Sequence, residues 1–169
     1  MAETHSNRRA PASASTFGHV PGVPVGALFP DRVALSAAGV HRPRRAGICG
    51  RAREGAESII LNCAFVDDRD KGRTILYTGS GARHPTTGRQ IGDQTLTRSN
   101  LALAESARQQ GAVRVSRGVG RGVWRPPAEG YRYDGLYTVE DYVADTGQDG
   151  YRIWRFRLAA VPGEWFGTE

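Results

Sequence analysis

Two aromatic residues and a group of acids lie close together near the middle of the chain. Phe65 ends one strand-like stretch, Tyr77 ends the next, and the polar connection between them carries Asp67, Asp68 and Asp70. A hairpin of this kind can bring both rings to one pocket, where they could stack on a flat group while a carboxylate accepts a hydrogen bond. The residues alone equally allow two core rings and a solvated acidic turn.

Residue types that support hydrolysis or metal binding are few and scattered. Arg69 stands two residues before Lys71, where a PD-(D/E)xK core would need an acid, and the chain has neither the His-x-Glu nor the Pro-Cys-x-x-Cys of a deaminase. Cys49 and Cys63 form no CxxC pair and are expected to be small buried residues. The histidines, none of which fits an HNH-like centre, are His5, His19, His41 and His84. We therefore predict no catalytic residue, metal or cofactor.

The chain is basic, and its positive charge is carried by arginine. Lys71 is the single lysine among 23 basic residues, which leaves 22 arginines against 17 acids and a net charge of +6. A GC-rich genome could explain the preference for arginine over lysine but not the net charge. Two series stand out, namely Arg42, Arg44, Arg45, Arg51 and Arg53, and then Arg108, Arg114, Arg117, Arg121 and Arg125. Such patches favour a polyanionic partner, nucleic acid first.

The length of 169 residues fits one domain. Residues 1–16 are small, polar and rich in Pro, Ala and Ser, which predicts a disordered lead-in to a domain over residues 17–169. No apolar run approaches the roughly 18 residues of a membrane span. The N-terminus also lacks the apolar stretch of a signal peptide, so we expect a cytoplasmic protein without a membrane partner.

Alternation and β-branched content predict mostly strands. One helix is predicted over Thr97–Gln109, begun by Thr97 and ended at Gly111. The predicted strands are Arg32–Ser36, Ser58–Phe65, Thr74–Thr78, Ala112–Ser116, Leu136–Val143 and Tyr151–Leu158. Many short strands with one helix indicate an α+β domain built on a curved antiparallel sheet or barrel.

Four motifs, in series from Phe17 to about Trp165, resemble the SRA domain, also called the YDG domain. They are Pro21-Gly-Val-Pro-Val-Gly26, Gly39-Val-His-Arg-Pro43, Tyr77-Thr-Gly-Ser-Gly81 and Tyr131-Arg-Tyr-Asp-Gly135. The resemblance, which is to a bacterial stand-alone member, implies a PUA-like twisted β-barrel with flanking helices. It also implies a protein that binds duplex DNA, associates with the nucleoid, and flips a modified cytosine, usually 5-methylcytosine, into a pocket.

The resemblance assigns this pocket residue by residue. Phe65 and Tyr77 would be the two faces of an aromatic clamp, and Asp68 would accept from the cytosine amino group. Phe65 replaces a tyrosine of animal members and Ala64 replaces a glycine. Asp67 and Asp70 are expected to be solvated. The other pocket positions implied are Asn62, Ala64, Thr78 and Gly79.

Two loops would enter the duplex from its two grooves. The first supplies Arg44 and Arg45. The second, Arg83–Gln90, is shorter than in animal members and offers Arg89 for insertion. Phosphate contacts are predicted for Arg42, Arg51, Arg117 and Arg121. The signature Tyr133-Asp134-Gly135 is interpreted as structural, and the three tryptophans, Trp124, Trp154 and Trp165, as packing residues.

The leading hypothesis is a non-catalytic reader of modified cytosine in duplex DNA. The alternative is a modification-dependent restriction endonuclease, or its specificity subunit with a separate nuclease chain. A PUA-like RNA binder shares the barrel and the charge but is disfavoured, because the motifs match the DNA branch.

Overall fold

The computed structural model describes residues 16–168, so the predicted lead-in, apart from Thr16, lies outside the described residues. The helices are α1 (Arg32–Ala37) and α2 (Arg98–Gln109). The strands are β1 (Leu28–Phe29), β2 (Ile48–Arg51), β3 (Gly55–Leu61), β4 (Arg69–Asp70), β5 (Thr74–Thr78), β6 (Ala112–Gly118), β7 (Tyr131–Thr146) and β8 (Arg152–Trp165). Neither helix of this part of the chain is long and apolar enough to cross a membrane.

One sheet carries all eight strands, in the order β2-β3-β6-β7-β8-β5-β4, with β1 beside β7. The β3–β6 pair is parallel and the other pairs are antiparallel. Among the described residues the path is open, with β2 and β4 at its two ends. The predicted α+β class is confirmed.

Five of the predicted strands overlap observed ones, and Thr74–Thr78 coincides with β5. The predicted strand Arg32–Ser36 is wrong, because these residues lie in α1. Asp31 begins that helix, and its carboxylate accepts from the Ala34 N–H at 2.8 Å. This N-cap supplies a partner to one of the first-turn amides. Its signal, an acid before the apolar run, was outweighed by the alternation of Val33 and Leu35.

The predicted second helix is confirmed as α2, with Thr97 as its N-cap and Gln110 in the left-handed region at its end. The main core lies between this helix and the sheet. Leu103 and Ala104 from the helix meet Ile59, Val115 and other apolar strand residues there. The Thr97 hydroxyl bonds Thr95 rather than a helix amide.

A buried ion network joins β4, β6 and β7. The fully buried Arg117 guanidinium donates to both oxygens of Asp70 at 2.8 Å and to Asp134 at 2.8 Å. Asp134 also accepts from Arg132, and Tyr137 donates to the Gly72 carbonyl at 2.7 Å. The network therefore holds the short edge hairpin β4–β5 against the centre of the sheet.

Candidate nucleic-acid interface

The β4–β5 hairpin brings Asp68 against the end of β5. Arg69 pairs with Leu76 and Asp70 with Ile75, so the residue before β4 lies beside the end of β5. There the Asp68 carboxylate accepts the Thr78 N–H through Oδ1 at 2.8 Å. The Asp68 N–H closes a turn by donating to the Phe65 carbonyl at 3.1 Å. Phe65, Asp68 and Thr78 thus meet although up to thirteen positions separate them.

Asp68 is an acid held away from water. The residue is 7% exposed. Burial raises the pKa of its carboxyl to about 6, against the opposing effect of the hydrogen bond from the Thr78 N–H. At neutral pH the group is therefore mostly ionised, and a carboxylate has lone pairs enough to accept from a ligand amino group as well.

The two predicted clamp rings lie in different surroundings. Tyr77 is 4% exposed, packs in the main core, and donates its phenol to the Gly47 carbonyl at 3.2 Å. Burial raises the pKa of this phenol well above its ordinary value. Phe65 is partly buried, and the Arg83 guanidinium carbon lies 4.5 Å from its ring centroid, a cation–π distance.

Thr78, at the end of β5, lies beside Asp68, and Gly79 follows it directly. Thr78 Oγ1 is buried beside the Asp68 carboxylate, and its interaction with that group helps to lower the pKa of Asp68. Gly79 is closely enclosed, because a Cβ there would lie 2.7 Å from Asn100 Oδ1 and 3.0 Å from Gln94 Oε1. A side chain at position 79 would collide with the groups that hold this strand end.

Gln94 and Asn100 are buried positioning residues that motif matching missed. Gln94 donates to the Gly79 carbonyl at 2.7 Å and accepts from the Trp154 N–H at 2.9 Å. Asn100 bonds both the N–H and the carbonyl of Ser80, at 2.8 and 2.9 Å. For Asn100, the signal available in the sequence was a polar residue on the apolar face of the predicted helix.

Asn62 and Ala64 lie on the connection that leaves β3. Asn62 Oδ1 accepts the Ala64 N–H at 3.1 Å, and the Ala64 carbonyl accepts from Arg83 at 3.1 Å. Cys63 between them has a φ of 52°, in the left-handed region that ordinary residues rarely adopt. The backbone of this segment is thus turned by local contacts rather than by strand pairing.

The prediction that Asp67 and Asp70 are solvated is wrong. Asp67 is 9% exposed and accepts the Gln148 N–H at 3.1 Å. The Asp70 side chain is fully buried in its ion pair with Arg117. A run of acids resembles a surface turn in the sequence because the donors that permit its burial come from distant parts of the chain.

The backbone of the first basic loop, residues 42–46, is held by hydrogen bonds from the buried side of the loop. Arg32 donates to the Pro43 carbonyl at 2.8 Å. His41 is fully buried, and burial lowers its pKa to about 4. The neutral ring can then donate from Nε2 to the Ala46 carbonyl at 2.8 Å and accept at Nδ1 from Ser58 at 2.8 Å. Arg44 and Arg45 are exposed above this base.

The other predicted DNA-contacting arginines divide between surface and interior. Arg51 and Arg121 are exposed, and Arg51 lies 3.8 Å from Glu54. Arg42 is partly exposed and bonds the buried Glu57 carboxylate. The prediction that Arg117 contacts a phosphate is wrong, since the whole side chain is buried and paired within the protein.

The second loop, residues 83–90, is compact. Arg83 and Gln90 form a bridge at its base, and the His84 N–H donates to the Arg89 carbonyl at 2.8 Å. Arg89 is largely exposed, but its guanidinium lies 3.0 Å from Asp149 in the β7–β8 turn. The residue predicted to insert is therefore paired in the free protein.

The Tyr133-Asp134-Gly135 signature is confirmed as structural. Tyr133 and Asp134 are fully buried, and the Tyr133 hydroxyl lies 2.8 Å from His19 Nδ1. Gly135 has a φ of 98°, and a Cβ there would lie 2.1 Å from the Glu164 carbonyl oxygen. Only glycine allows this close approach of β7 and β8.

The three tryptophans pack within the protein. Trp124 and Trp165 have ring centroids 5.4 Å apart, and Trp154 lies 6.1 Å from the Tyr142 ring. Residues 16–168 contain no group of three His, Cys, Asp or Glu side chains placed to hold a metal ion.

Comparison with known sequences finds relatives along most of the chain. Residues 16–164 match the family model of the SAD/SRA domain. The rat E3 ubiquitin-protein ligase UHRF1 is 42% identical over 165 residues, which cover 86% of this chain and 21% of that protein. A UHRF1-like protein of Cryptococcus neoformans is 42% identical over 139 residues, covering 74% and 40%. The chain thus spans about a fifth of the length of the rat relative.

Solved structures show the same fold. The modification-dependent TagI restriction endonuclease is 41% identical with a TM-score of 0.82, over 89% of this chain and 54% of that one. The SUVH5 SRA domain in complex with fully methylated CG DNA is 35% identical with a TM-score of 0.73, over 88% and 96%. The same SUVH5 domain bound to hydroxymethylated CG DNA has a TM-score of 0.75 at 34% identity, over 90% and 99%. The PUA-like architecture implied by the motifs is confirmed.

Proposed function

Because the chain belongs to the SAD/SRA domain family, we propose that it binds duplex DNA and holds a modified cytosine, turned out of the helix, against Phe65, Asp68 and Tyr77. The observation that carries the proposal is the buried Asp68 carboxylate, which the Thr78 N–H fixes between the β3–β4 connection that bears Phe65 and the end of β5 that bears Tyr77. SRA domains of similar sequence have been solved with methylated and hydroxymethylated DNA.

The chemistry of the pocket suits cytosine. An ionised Asp68 can accept from the cytosine 4-amino group, whereas thymine offers an oxygen there and would leave a buried carboxylate unpaired. The Thr78 hydroxyl lies buried beside this carboxylate and stabilises its ionised form. Aromatic stacking returns about 1–3 kcal/mol per base, which offsets much of the cost of unstacking.

The modification itself contributes modestly. Burying one methyl group stabilises by about 0.8 kcal/mol, so we expect a severalfold preference over plain cytosine and far stronger rejection of thymine. Arg44, Arg45, Arg51 and Arg121 are exposed cations that could contact the phosphates, and Arg42 is partly exposed. Nucleoid association would follow from this binding.

The first prediction concerns two duplexes that differ only in the modification of one cytosine. We expect the full chain to bind the modified duplex severalfold more tightly at matched salt. Asp68→Ala should abolish that preference and leave weak, salt-sensitive binding, because the flipped base loses its acceptor while the phosphate contacts persist. Fluorescence anisotropy titrations measure both affinities.

Asp145→Ala provides the control, because it removes an exposed acid that pairs with Arg155 at 3.3 Å. Equal affinity of the wild type for the two duplexes would contradict the proposed function. An unchanged preference in the Asp68 variant would contradict the pocket assignment alone.

A second candidate is the specificity domain of a modification-dependent restriction endonuclease. It is favoured by the similarity to the TagI enzyme, of which this chain spans 54%. The reader domain itself would be non-catalytic, and cleavage would need a nuclease domain outside residues 16–168. Incubating the pure protein with methylated plasmid and Mg²⁺ tests this point, and reproducible cleavage would overturn the non-catalytic assignment.

A further inference from the structure

The turn between β7 and β8, residues 147–150, holds the second basic loop in place. Asp149 accepts from Arg89 Nε at 3.3 Å, from Arg89 Nη2 at 3.0 Å, and from the Gln90 N–H at 3.1 Å. The Asp149 side chain is only 16% exposed, although Arg89 is 74% exposed. One carboxylate therefore binds both a side chain and the backbone of the loop.

The loop that Asp149 holds is rigid within itself. His84 Nδ1 accepts the N–H groups of Thr86 and Thr87, both at 3.1 Å, and the Gly88 N–H donates to the His84 carbonyl at 2.9 Å. On the opposite side, Arg83 donates to the Gly88 carbonyl at 2.8 Å. Because the loop is braced internally, its orientation depends on the few contacts at its base.

The same turn also contacts the segment that carries the pocket. The Gln148 N–H donates to Asp67 Oδ1 at 3.1 Å, and Gln148 Nε2 donates to the Val66 carbonyl at 3.2 Å. A cleft of about 420 Å³ lies among the three segments, lined by Ala64, Val66, Arg83, Thr87, Arg89 and Asp149. The turn is thus hydrogen-bonded both to the loop and to the segment between Phe65 and Asp68, and it holds the two next to each other.

We propose that Asp149 is a positioning residue for DNA recognition, which presets loop 83–90 relative to the base pocket before DNA arrives. This inference rests on the proposed function. Ordering a loop during binding costs conformational entropy, so a loop fixed in advance binds more tightly. An exposed ion pair alone is worth little, but the partly buried Asp149 carboxylate also supplies the acceptor for the Gln90 N–H.

Because Asp149 is charged, the experiment can distinguish the loss of its contacts with the loop from the loss of its charge. A carboxylate beside a DNA-binding loop repels phosphates, so removing its charge by itself would tighten binding. Asp149→Ala and Asp149→Asn remove the same charge, but the asparagine keeps an oxygen that can accept from Gln90. Asp141→Asn is the control, since it removes an exposed acid of β7 that lies 3.8 Å from Arg157.

We expect Asp149→Ala to weaken binding of the modified duplex by about tenfold at matched salt. Asp149→Asn should retain most of the affinity, and Asp141→Asn should match the wild type. Affinities of both Asp149 variants equal to or tighter than that of the wild type would overturn the proposal.

A second measurement needs no DNA. Trypsin digestion of the folded full chain, followed by mass spectrometry, reports cleavage after Arg83 and Arg89. Asp149→Ala should speed cleavage at these two bonds, and Asp149→Asn should do so less. An unchanged rate would overturn the preset loop even if the wild type reads modified DNA. A wild type that does not discriminate the duplexes would instead contradict the proposed function.

Discussion

At the scale of single residues, Asp68 is the most costly group in the candidate pocket. A buried, ionised carboxylate loses its hydration, and hydrogen bonds from the Thr78 N–H, the Thr78 side chain and the Phe65 backbone recover part of that loss. The raised pKa of about 6 expresses the balance. A residue that weakens the fold in this way suits a protein in which the carboxylate has a ligand to meet.

The cost can be measured as a pH-dependent stability. Raising the pKa of Asp68 from 3.8 to about 6 costs about 3 kcal/mol when the group is ionised in both states. Asp68→Asn keeps an acceptor for Thr78 and removes the charge. Its free energy of unfolding should therefore match that of the wild type below about pH 4, rise above it between pH 4 and 6, and stay higher at neutral pH.

Urea denaturation from pH 3.5 to 8 tests this, with Asp145→Asn as the exposed control. A difference that does not change with pH would show that Asp68 ionises as easily in the folded chain as in the unfolded one.

At the scale of elements, the β4–β5 hairpin depends on Arg117. The hairpin is short, lies at an edge of the sheet, and carries Asp68 at its start. Arg117 from β6 satisfies Asp70 in β4 and Asp134 in β7. The position of the pocket is therefore set by this charge network at β4 as well as by the backbone pairing of β5 with β8.

Removing that arginine should destabilise the whole domain. Arg117→Leu leaves Asp70 and Asp134 buried with only Arg132 to compensate them, which should cost about 3–5 kcal/mol. Thermal and urea denaturation at pH 7 measure the loss. Arg53→Leu, at an exposed position, should stay within about 0.5 kcal/mol of the wild type. A loss below 1 kcal/mol for the Arg117 variant would contradict this role.

At the scale of the whole molecule, only part of the positive charge behind the net +6 is exposed and able to contact DNA. Arg114 and Arg117 are fully buried, and their guanidinium groups donate hydrogen bonds to other groups of the protein. Arg44 and Arg45, in the first basic loop, are exposed. Salt dependence should therefore follow the exposed arginines rather than the total.

The double variant Arg44→Ala/Arg45→Ala should lower the slope of log K against log salt by about two, because each phosphate contact contributes about 0.9. The reduction should be the same for modified and unmodified duplexes, since phosphate contacts carry no sequence information. Arg108→Ala, which breaks a pair with Glu105 on α2, should leave the slope unchanged. Slopes from binding isotherms at 50 to 200 mM salt decide the matter.

Local patterns alone predicted much of the secondary structure. The alternation in Thr74–Thr78 and the capped apolar stripe of residues 97–109 act over a few neighbouring residues, so β5 and α2 appear where they were expected. The order of the four motifs was likewise enough to indicate the family and its fold. Arg32–Ser36 failed because a single N-cap, Asp31, outweighed a weak alternation.

Only the tertiary structure decided which charges face water. Arg117 and Asp70 are 47 positions apart, and Asp149 lies 60 positions from Arg89. A charged side chain can be buried without a large loss of stability only when an opposite charge lies next to it. Which residue supplies that charge depends on the order of the strands in the sheet rather than on spacing along the sequence. The sequence therefore determined the elements and the chemistry at their ends, whereas long-range packing selected which of its arginines and acids were left for a ligand.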